Sequence, residues 1–378
     1  LEVYWNTTKD LLMAVPVDNT TGYSYQFQNF GKTSNRGIEL SVNVDVINKG
    51  DFRFNVGAIY NYNRNKLDEL PNADQYLYSS YWGSSSLVPT NDYMFVEGKA
   101  IGLVRGFISE GYYTVDDFNY TNGQYVLKEG VPDITKALTA TYMHPYDLPA
   151  GQTAFPGAAK FRDVDESGTV DLDDATCLGE VMPRHTGSFQ LNFNYKNFDL
   201  STNFNWTAGG KVYNVAAMIN ASGQEFDGIG AQRASWVADA FKVYNVNAAG
   251  DLYAVTNPDE LRALNANAKY HLPYHQSGIT SSEWLENGSY LRLQTLTLGY
   301  TLPKNWLTKV HVDKIRLYLT ATNLFTITGY SGIDPEVNAN PTGQSGFYSD
   351  LRIFPTLNMD FGTYPRARTF TFGANITF

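Results

Sequence analysis

The most constraining feature of this chain is the alternation of apolar and polar residues over segments of about ten positions. Every second residue is apolar between positions 38 and 46, and after a turn at 48–51 the alternation resumes from position 52 to position 62. Successive side chains of a β-strand point to opposite faces, so each segment predicts a strand with one apolar and one polar face. About ten residues also suffice for a tilted strand to cross a bilayer. The pattern predicts a transmembrane antiparallel β-barrel.

The alternation returns along the chain and gives a count of eight strands, the first at its amino-terminal end. The apolar residues of the later strands are Phe189, Leu191, Phe193 and Tyr195; Phe198, Leu200, Phe204 and Trp206; Leu296, Leu298, Tyr300 and Leu302; Ile315, Leu317, Leu319 and Ala321; and Phe370, Phe372, Ala374, Ile376 and Phe378. We expect the apolar face to contact lipid, with Phe54, Val56, Leu191, Phe193, Leu317 and Leu319 on it. We expect Asn55, Asn192 and Arg316 to face the lumen.

Connection lengths alternate between short and long, which is typical of outer-membrane barrels with tight periplasmic turns and large extracellular loops. The short connections lie near 48–51, 195–198 and 303–311, and the long ones near 14–34, 70–183, 208–284 and 326–365. We therefore expect 70–183 and 208–284 to be large extracellular loops, with the carboxy-terminus on the periplasmic side. Because the alternation is already present at Leu1, we expect the chain to begin inside a strand of a longer protein.

Composition narrows the class of protein. Charged residues make up 17% and the net charge is −10, which argues against a nucleic-acid partner. The single cysteine excludes an internal disulfide framework, and no apolar run approaches the roughly 18 residues of a membrane helix.

A soluble β-sandwich or β-propeller would also have strands with alternating apolar and polar residues, but it would not explain the alternating connection lengths. Eight strands could close alone into a narrow barrel, yet loops of more than half the chain favour one arc of a larger barrel.

Several segments, in one order along the chain, resemble the SusC/RagA family of TonB-dependent outer-membrane transporters. They are 9–12 (KDLL), 29–40 (NFGKTSNRGIEL), 97–102 (EGKAIG), 284–293 (WLENGSYLRL), 297–303 (TLGYTLP), 321–325 (ATNLF) and 368–378 (RTFTFGANITF). The resemblance covers residues 1–378. It implies that the chain supplies the last eight strands of a 22-stranded barrel in the outer membrane of a Gram-negative bacterium. The plug domain and the segment that contacts TonB would lie upstream and are absent from this chain.

The resemblance also implies a function, which is TonB-dependent import of oligomeric nutrients, either glycans or peptides. A SusD-like surface lipoprotein would cap the barrel as a lid. The alternative is a β-rich surface binding or adhesin-like protein without a transport pore. An enzyme is not expected, because none of the many carboxylates sits in a recognisable acid/base arrangement.

The best site candidate is an acidic stretch in the longest connection, which fits a calcium-binding loop. Oxygen ligands at positions one, three, five, seven, nine and twelve would come from Asp163, Asp165, Ser167, Thr169, Asp171 and Asp174. Gly168 at position six allows the sharp turn. Asp174 replaces the usual bidentate glutamate, so the last ligand is shorter. We expect Ca²⁺, or less favourably Mg²⁺, to rigidify the loop, and the alternative is a solvated acidic loop.

Aromatic residues crowd the start of the same connection, at Tyr76, Tyr78, Tyr81 and Trp82. Exposed rings there could stack on a sugar or pack against a protein lid, and the alternative is packing within the loop. Residues 231–241 predict a short loop helix whose apolar face includes Trp236, Val237, Ala240 and Phe241.

Overall fold

The computed structural model describes the chain except for residues 17–19, 21, 23–24, 30, 71–74, 81–86, 140–143, 223–233, 273–277, 309–311 and 338–356. Its strands, numbered in chain order, are β1 Glu2–Lys9, β2 Leu12–Pro16, β3 Tyr25–Asn29, β4 Lys32–Lys49, β5 Phe52–Glu69, β6 Gln75–Tyr78, β7 Tyr93–Val96, β8 Leu103–Gly106, β9 Ser109–Tyr112, β10 Phe118–Thr121, β11 Gln124–Leu127, β12 Asp133–Ile134, β13 Ala159–Phe161, β14 Thr169–Val170, β15 Thr176–Glu180, β16 His185–Tyr195, β17 Phe198–Ala208, β18 Lys211–Asn214, β19 Tyr244–Val246, β20 Leu252–Ala254, β21 Leu285–Asn287, β22 Tyr290–Thr301, β23 Lys314–Thr328, β24 Met359–Asp360 and β25 Thr369–Thr377.

The helices are short and lie in the connections between long strands. They are α1 Lys136–Thr139, α2 Val215–Ser222, α3 Ala234–Asp239, α4 Pro258–Leu264 and α5 Lys304–Leu307, with 3₁₀ turns at Val115–Asp117, Leu172–Asp174 and Ser282–Trp284. No helix among the described residues has the length and apolar character needed to cross a membrane.

Eight long strands form one antiparallel sheet, which we call the wall. Their order is β1-β4-β5-β16-β17-β22-β23-β25, so chain order and spatial order coincide. This is an up-and-down arrangement, and the predicted all-β antiparallel fold with eight wall strands is confirmed. The other strands among the described residues form seven small sheets within the long connections.

Register places the predicted apolar residues of the wall on one face, which we call the outer face. Val56 on β5 lies opposite both Val44 and Leu191, and Phe54 lies opposite Phe193 with the two rings stacked at 4.3 Å. Such cross-strand apolar pairs stabilise a sheet through side-chain packing.

The opposite face of the wall, which we call the inner face, carries a row of hydrogen-bonded polar side chains. Asn55 donates to Asp45 at 2.9 Å, Asn192 donates to Asn55 at 3.5 Å, and Ser201 donates to Asn192 at 2.6 Å. A row that pairs its own polar groups across strands suits a water-filled or protein-filled interior and does not suit lipid.

The alternation predicted for β4 is wrong at one position. The register of β4 against β5 shifts between Asp45 and Ile47, because Val46 forms a bulge. Ile47, and not Val46, lies opposite Phe54 and continues the apolar row. An extra residue in one strand flips the faces of every residue beyond it, which a strict count of two cannot detect.

Aromatic side chains border the apolar band of the outer face at both ends. At the short-turn end the rings of Phe198 and Tyr300 lie 4.6 Å apart, and at the long-connection end those of Tyr60 and Trp206 lie 6.1 Å apart. Phe198 and Trp206 are eight residues apart on β17, or about 26 Å along the strand. At the tilt of about 40° typical of such barrels this length spans about 20 Å of membrane height, close to the apolar band of about 25 Å between the aromatic girdles of an outer-membrane barrel.

The long connections fold into a compact cap on one end of the wall and share hydrophobic cores. One core joins Phe107 and Phe155 of the second long connection to Phe241 and Leu261 of the third, all of them buried. A second core joins Tyr93 to Tyr213 and Met359. Burying apolar surface is the main favourable contribution to folding, so these connections stabilise one another as a single structural unit.

The wall is an open sheet in the part of the chain that the structure describes. Strand β1 pairs with β4 alone, and β25 pairs with β23 alone. Each of these two strands at the ends of the sheet therefore has one edge whose backbone N–H and C=O groups lack a strand partner. In hydrocarbon such groups need internal partners, so these two edges require neighbours when the wall lies in a membrane.

The two faces make a testable prediction at β16. Leu191 lies midway along the outer face, and Asn192 beside it lies on the inner face. In the full-length protein, Leu191→Arg should destabilise the folded barrel by about 2–4 kcal/mol, because it places a charge at the membrane midplane. Asn192→Arg is the matched control and should cost much less. Denaturant unfolding in lipid vesicles measures both variants, and an equal cost would contradict the assignment of faces.

Candidate functional site

The acidic loop at 163–174 is built around the carboxylate of Asp163. One oxygen accepts the N–H of Ser167 at 3.1 Å and the other accepts the N–H of Gly168 at 2.7 Å. The chain reverses sharply here, with φ of +59° at Glu166 and +86° at Gly168. Glycine reaches this left-handed region without steric cost, so the residue at position six satisfies what the predicted loop requires.

Three carboxylates of the predicted ligand set converge. One oxygen each from Asp163, Asp165 and Asp174 can be chosen so that all lie within 4.8 Å of one another. The Ser167 hydroxyl, which lies 3.0 Å from the carbonyl oxygen of Thr169, brings two more of the predicted ligands together. Hydrogen bonds from Ser167 lower the pKa of Asp165, so its carboxylate is ionised at neutral pH.

The other end of the loop departs from the predicted pattern. Asp174 is fully buried, and its carboxylate accepts the backbone N–H groups of Val164 at 2.6 Å and Asp171 at 2.8 Å. Asp171 lies outside the carboxylate cluster, and its side chain accepts the N–H of Asp173 at 2.8 Å as the cap of the following 3₁₀ turn. Position nine is therefore a structural cap in this arrangement.

The loop is fixed to the cap through its apolar position eight. Val170 is fully buried in the first core, and β14 pairs in parallel with β12 through Thr169 and Val170. Arg105 of β8 donates to the carbonyl of Leu172 at 3.1 Å. Strand β15 follows directly and leads into wall strand β16, so the acidic loop connects the cap core to the wall.

The donor set fits a hard divalent cation. Carboxylate, hydroxyl and carbonyl oxygens are the ligands of Ca²⁺, whereas nitrogen or sulfur ligands, which favour zinc, do not enter this cluster. Three carboxylates within 4.8 Å of one another repel when all are ionised, and a cation would relieve that repulsion.

Of the four predicted aromatic contact residues, two can be placed. Tyr78 is only 5% exposed and stacks on Phe95 at 4.7 Å, so it belongs to the loop core and not to a surface open to a ligand. Burial raises its pKa. Tyr76 is half-buried and packs against the same core. Tyr81 and Trp82 lie outside the described residues.

The predicted loop helix is present as α3 and packs within the cap. Trp236 stacks on Tyr270 at 3.8 Å and on Trp284 at 5.1 Å. Ala240 and Phe241 are buried, but Val237 is 47% exposed and does not belong to the packed face. The helix ends at Asp239, so the chain direction changes before Phe241 and the helical spacing no longer applies.

A buried arginine on the inner face was not singled out from the sequence. Arg292 of β22 is 3% exposed and makes ion pairs with Asp334 and, at 3.0 Å, with Glu336. Its Nε also donates to Thr326 of β23 at 3.1 Å. These contacts draw the connection after β23 onto the wall. The available signal was an arginine inside an apolar alternating segment, but its acidic partners lie more than 40 positions away.

Comparisons with known proteins agree with the observed fold along the whole chain. The chain is 29% identical to TonB-dependent receptor P3 of Formosa agariphila and 24% identical to TonB-dependent receptor SusC of Bacteroides thetaiotaomicron, in each case over 100% of its length. It spans about a third of these curated relatives, 32% and 30% of their respective lengths. No family model matches the sequence.

Among solved structures, the RagAB peptide transporter superposes on 100% of the chain with a TM-score of 0.64 and 21% identity, and the chain covers 33% of it. The predicted resemblance to SusC/RagA-type transporters is confirmed, as is the partial-barrel fold. TonB-dependent receptors are outer-membrane proteins of Gram-negative bacteria, so the predicted location is also confirmed.

A buried carboxyl beside the aromatic loop core gives a prediction on pH. Asp92 is fully buried, accepts the N–H of Ser80 at 2.7 Å and the hydroxyl of Ser80 at 2.5 Å, and has a pKa raised to about 6 by burial. Because the pKa of Asp92 is raised in the folded protein, the protonated carboxyl makes its full contribution to the free energy of unfolding below about pH 4. This contribution is lost as the pH rises through about 6.

Asp92→Asn should therefore gain stability relative to the unsubstituted full-length protein between about pH 4 and pH 7, by at most roughly 3 kcal/mol. The asparagine keeps an oxygen acceptor for Ser80 and does not ionise. Thermal unfolding of both proteins over this pH range measures the difference. A constant difference across the range would show that the pKa of Asp92 is the same in the folded and unfolded protein, which contradicts the raised value.

Proposed function

We propose that this chain, whose whole length is similar to TonB-dependent receptors of the SusC type, forms the last eight strands of a 22-stranded transport barrel. The observation that carries the proposal is the open, two-faced wall, apolar outside and polar inside, with an unpaired edge at β1 and at β25. Outer-membrane transporters of 22 strands enclose a plugged lumen. Eight of 22 strands is slightly more than a third, close to the share of the relatives that the chain covers.

The transported cargo is an oligomeric nutrient, a glycan or a peptide, which passes through the complete barrel in a TonB-dependent step. The name of the RagAB peptide transporter supports a peptide, and that of the SusC relative supports membership of the same transporter class. The remaining barrel strands, the plug and the segment that contacts TonB come from the upstream part of the protein. The relatives are named as receptors and a transporter, which supports a non-enzymatic role.

The cap is the part of this chain that meets cargo and a SusD-like surface lipoprotein. The connections at 70–183 and 208–284 would lie outside the cell, because the wall ends in short turns at its other end. Tyr76, Tyr81 and Trp82 remain candidates for contact with cargo or lid. Their neighbour Tyr78 would support them from within the core, where its ring already packs on Phe95.

Uptake by whole cells tests the function. Cells with the intact gene, with the gene deleted, and with TonB deleted are supplied with labelled oligopeptides or labelled oligosaccharides. Both deletions should abolish uptake of one of the two cargo classes and leave the passage of small solutes through porins unchanged. Uptake of both classes that survives both deletions would contradict import and favour a surface binding protein without a pore.

The open edges predict that residues 1–378 do not form a closed barrel when expressed alone. Two rows of backbone groups would remain unpaired in lipid or detergent, each unpaired group costing several kcal/mol in the hydrocarbon region. Semi-native gel electrophoresis should show no heat-modifiable monomer, whereas the full-length protein should show one. A stable, heat-modifiable monomer from the short chain would favour the closed eight-stranded alternative.

The acidic loop at 163–174 is proposed to bind one Ca²⁺ ion that rigidifies the cap. In the full-length protein, Asp163→Asn with Asp165→Asn should weaken calcium binding at least tenfold and increase proteolysis of the cap. Glu166→Gln is the matched control, because it removes one charge from the same loop outside the carboxylate cluster. Calorimetry with Ca²⁺ and then with Mg²⁺ measures affinity and preference. No heat of binding to the unsubstituted protein would contradict the site.

A further inference from the structure

Two arginines lie directly opposite each other on the outer face of the wall. Arg36 of β4 pairs in register with Arg64 of β5, and both side chains are exposed. Neither makes an ion pair with any carboxylate among the residues that the structure places. Like charges directly opposite on neighbouring strands are destabilising, so this pair needs an external anion or a compensating contact.

One compensating contact comes from the neighbouring strand. The guanidinium of Arg36 lies 3.5 Å from the ring centroid of Trp5 on β1, an aromatic stacking that fixes its position without neutralising its charge. Arg64 has no such aromatic partner in the described part of the chain. The charge of the pair therefore remains available on the surface.

A second group of cations lies at the cap-side ends of the next two wall strands. A cavity of about 580 Å³ opens where β16 begins and β17 ends, lined by Arg184, His185 and Lys211 together with Glu180 and the apolar residues Met182 and Leu285. Arg184 is paired with Glu180 at 2.7 Å. Lys211 has no acidic partner within ion-pair distance in the described residues, so the cavity carries one net positive charge when His185 is neutral.

The height of these groups relative to the apolar band follows from the register. Ile38, Tyr62 and His185 form one row of the outer face, in the upper aromatic girdle, and Arg36 and Arg64 form the next row toward the cap. Arg184 directly precedes His185, and Lys211 follows the end of β17. Cations just beyond an aromatic girdle lie at the depth of lipid headgroups.

We propose that Arg36, Arg64, Arg184 and Lys211 form a belt that binds the phosphate groups of an outer-leaflet lipid headgroup. The lipid's acyl chains would lie against the apolar band directly below, and His185, Tyr60 and Tyr62 would lie at the boundary. Phosphate is the anion that matches guanidinium geometry, and the apolar band adjoining the belt selects a lipid over a soluble anion. The inference rests on the membrane placement of the wall and not on the identity of the transported cargo.

Binding of diphosphoryl lipid A to the purified full-length protein in mild detergent tests the proposal. The variants are Arg36→Gln with Arg64→Gln, and Arg184→Gln with Lys211→Gln. Each pair should weaken binding by about tenfold or more, since each cation near a lipid surface contributes about a factor of five. The control is Lys49→Gln with Lys128→Gln, two cations at the short-turn end and in the cap, which should leave binding unchanged.

Three further arms decide the source of the anion and the role of charge. Dephosphorylated lipid A should bind weakly to all proteins, and inorganic phosphate should compete only at concentrations far above those of the lipid. Arg36→Lys with Arg64→Lys should bind more weakly than the unsubstituted protein but more tightly than the glutamine pair, because lysine keeps the charge and loses the guanidinium geometry. Equal binding by belt and control variants, equal binding of the dephosphorylated lipid, or competition by phosphate at the lipid's own concentration would each overturn the proposal. Uptake of cargo is a separate readout, so its failure and the failure of lipid binding are distinguishable.

Discussion

The requirement that every backbone hydrogen-bonding group find a partner inside a membrane governs this structure. Within hydrocarbon no water replaces a missing partner, so a strand that crosses must be paired on both sides. Six of the eight wall strands satisfy this requirement from within the sheet, whereas β1 and β25 each satisfy it on one side. In the proposed 22-stranded barrel the remaining pairs come from other strands, so the wall would depend on the rest of that barrel.

The two faces of the wall follow from the same constraint. The backbone hydrogen bonds are made between neighbouring strands, so the side chains alone decide which face contacts lipid. Val56 and Leu191 lie on the outer face, toward lipid, whereas Asn55 and Asn192 lie on the inner face. The polar row that joins Asp45, Asn55, Asn192 and Ser201 would be unfavourable in lipid and is stable in a polar interior. The side chains also change along the length of each strand. Aromatic rings border the apolar band at both ends, and cations lie beyond the band at the end nearer the cap.

The cap is stabilised by contacts between different long connections. Tyr93, Tyr213 and Met359 come from three different connections and meet in one core. The ion pairs of Arg292 with Asp334 and Glu336 attach one further segment to the wall. The acidic loop is joined to this unit through Val170, so an ion bound there would stabilise the cap as a whole.

Period-two patterning predicted the wall because a strand's faces are set locally, residue by residue. It did not predict the bulge at Val46, since an added residue leaves the local composition unchanged. The spacing of the calcium-loop motif predicted the convergence of Asp163, Asp165 and Asp174, because those residues are near in sequence. Neither pattern could decide the burial of Tyr78 or find the partners of Arg292, because both depend on contacts between distant connections. Spacing alone likewise could not distinguish a ligand from a cap at Asp171.

The placement of the wall as a two-faced membrane sheet can be measured residue by residue along one strand. Spin labels placed singly at positions 188 to 194 of the full-length protein in lipid vesicles test it most directly, through their accessibility to oxygen and to a water-soluble nickel chelate. Labels at 189, 191 and 193 should favour oxygen, as lipid-facing sites do, and labels at 188, 190, 192 and 194 should not. A uniform accessibility along β16, or the opposite phase, would contradict it.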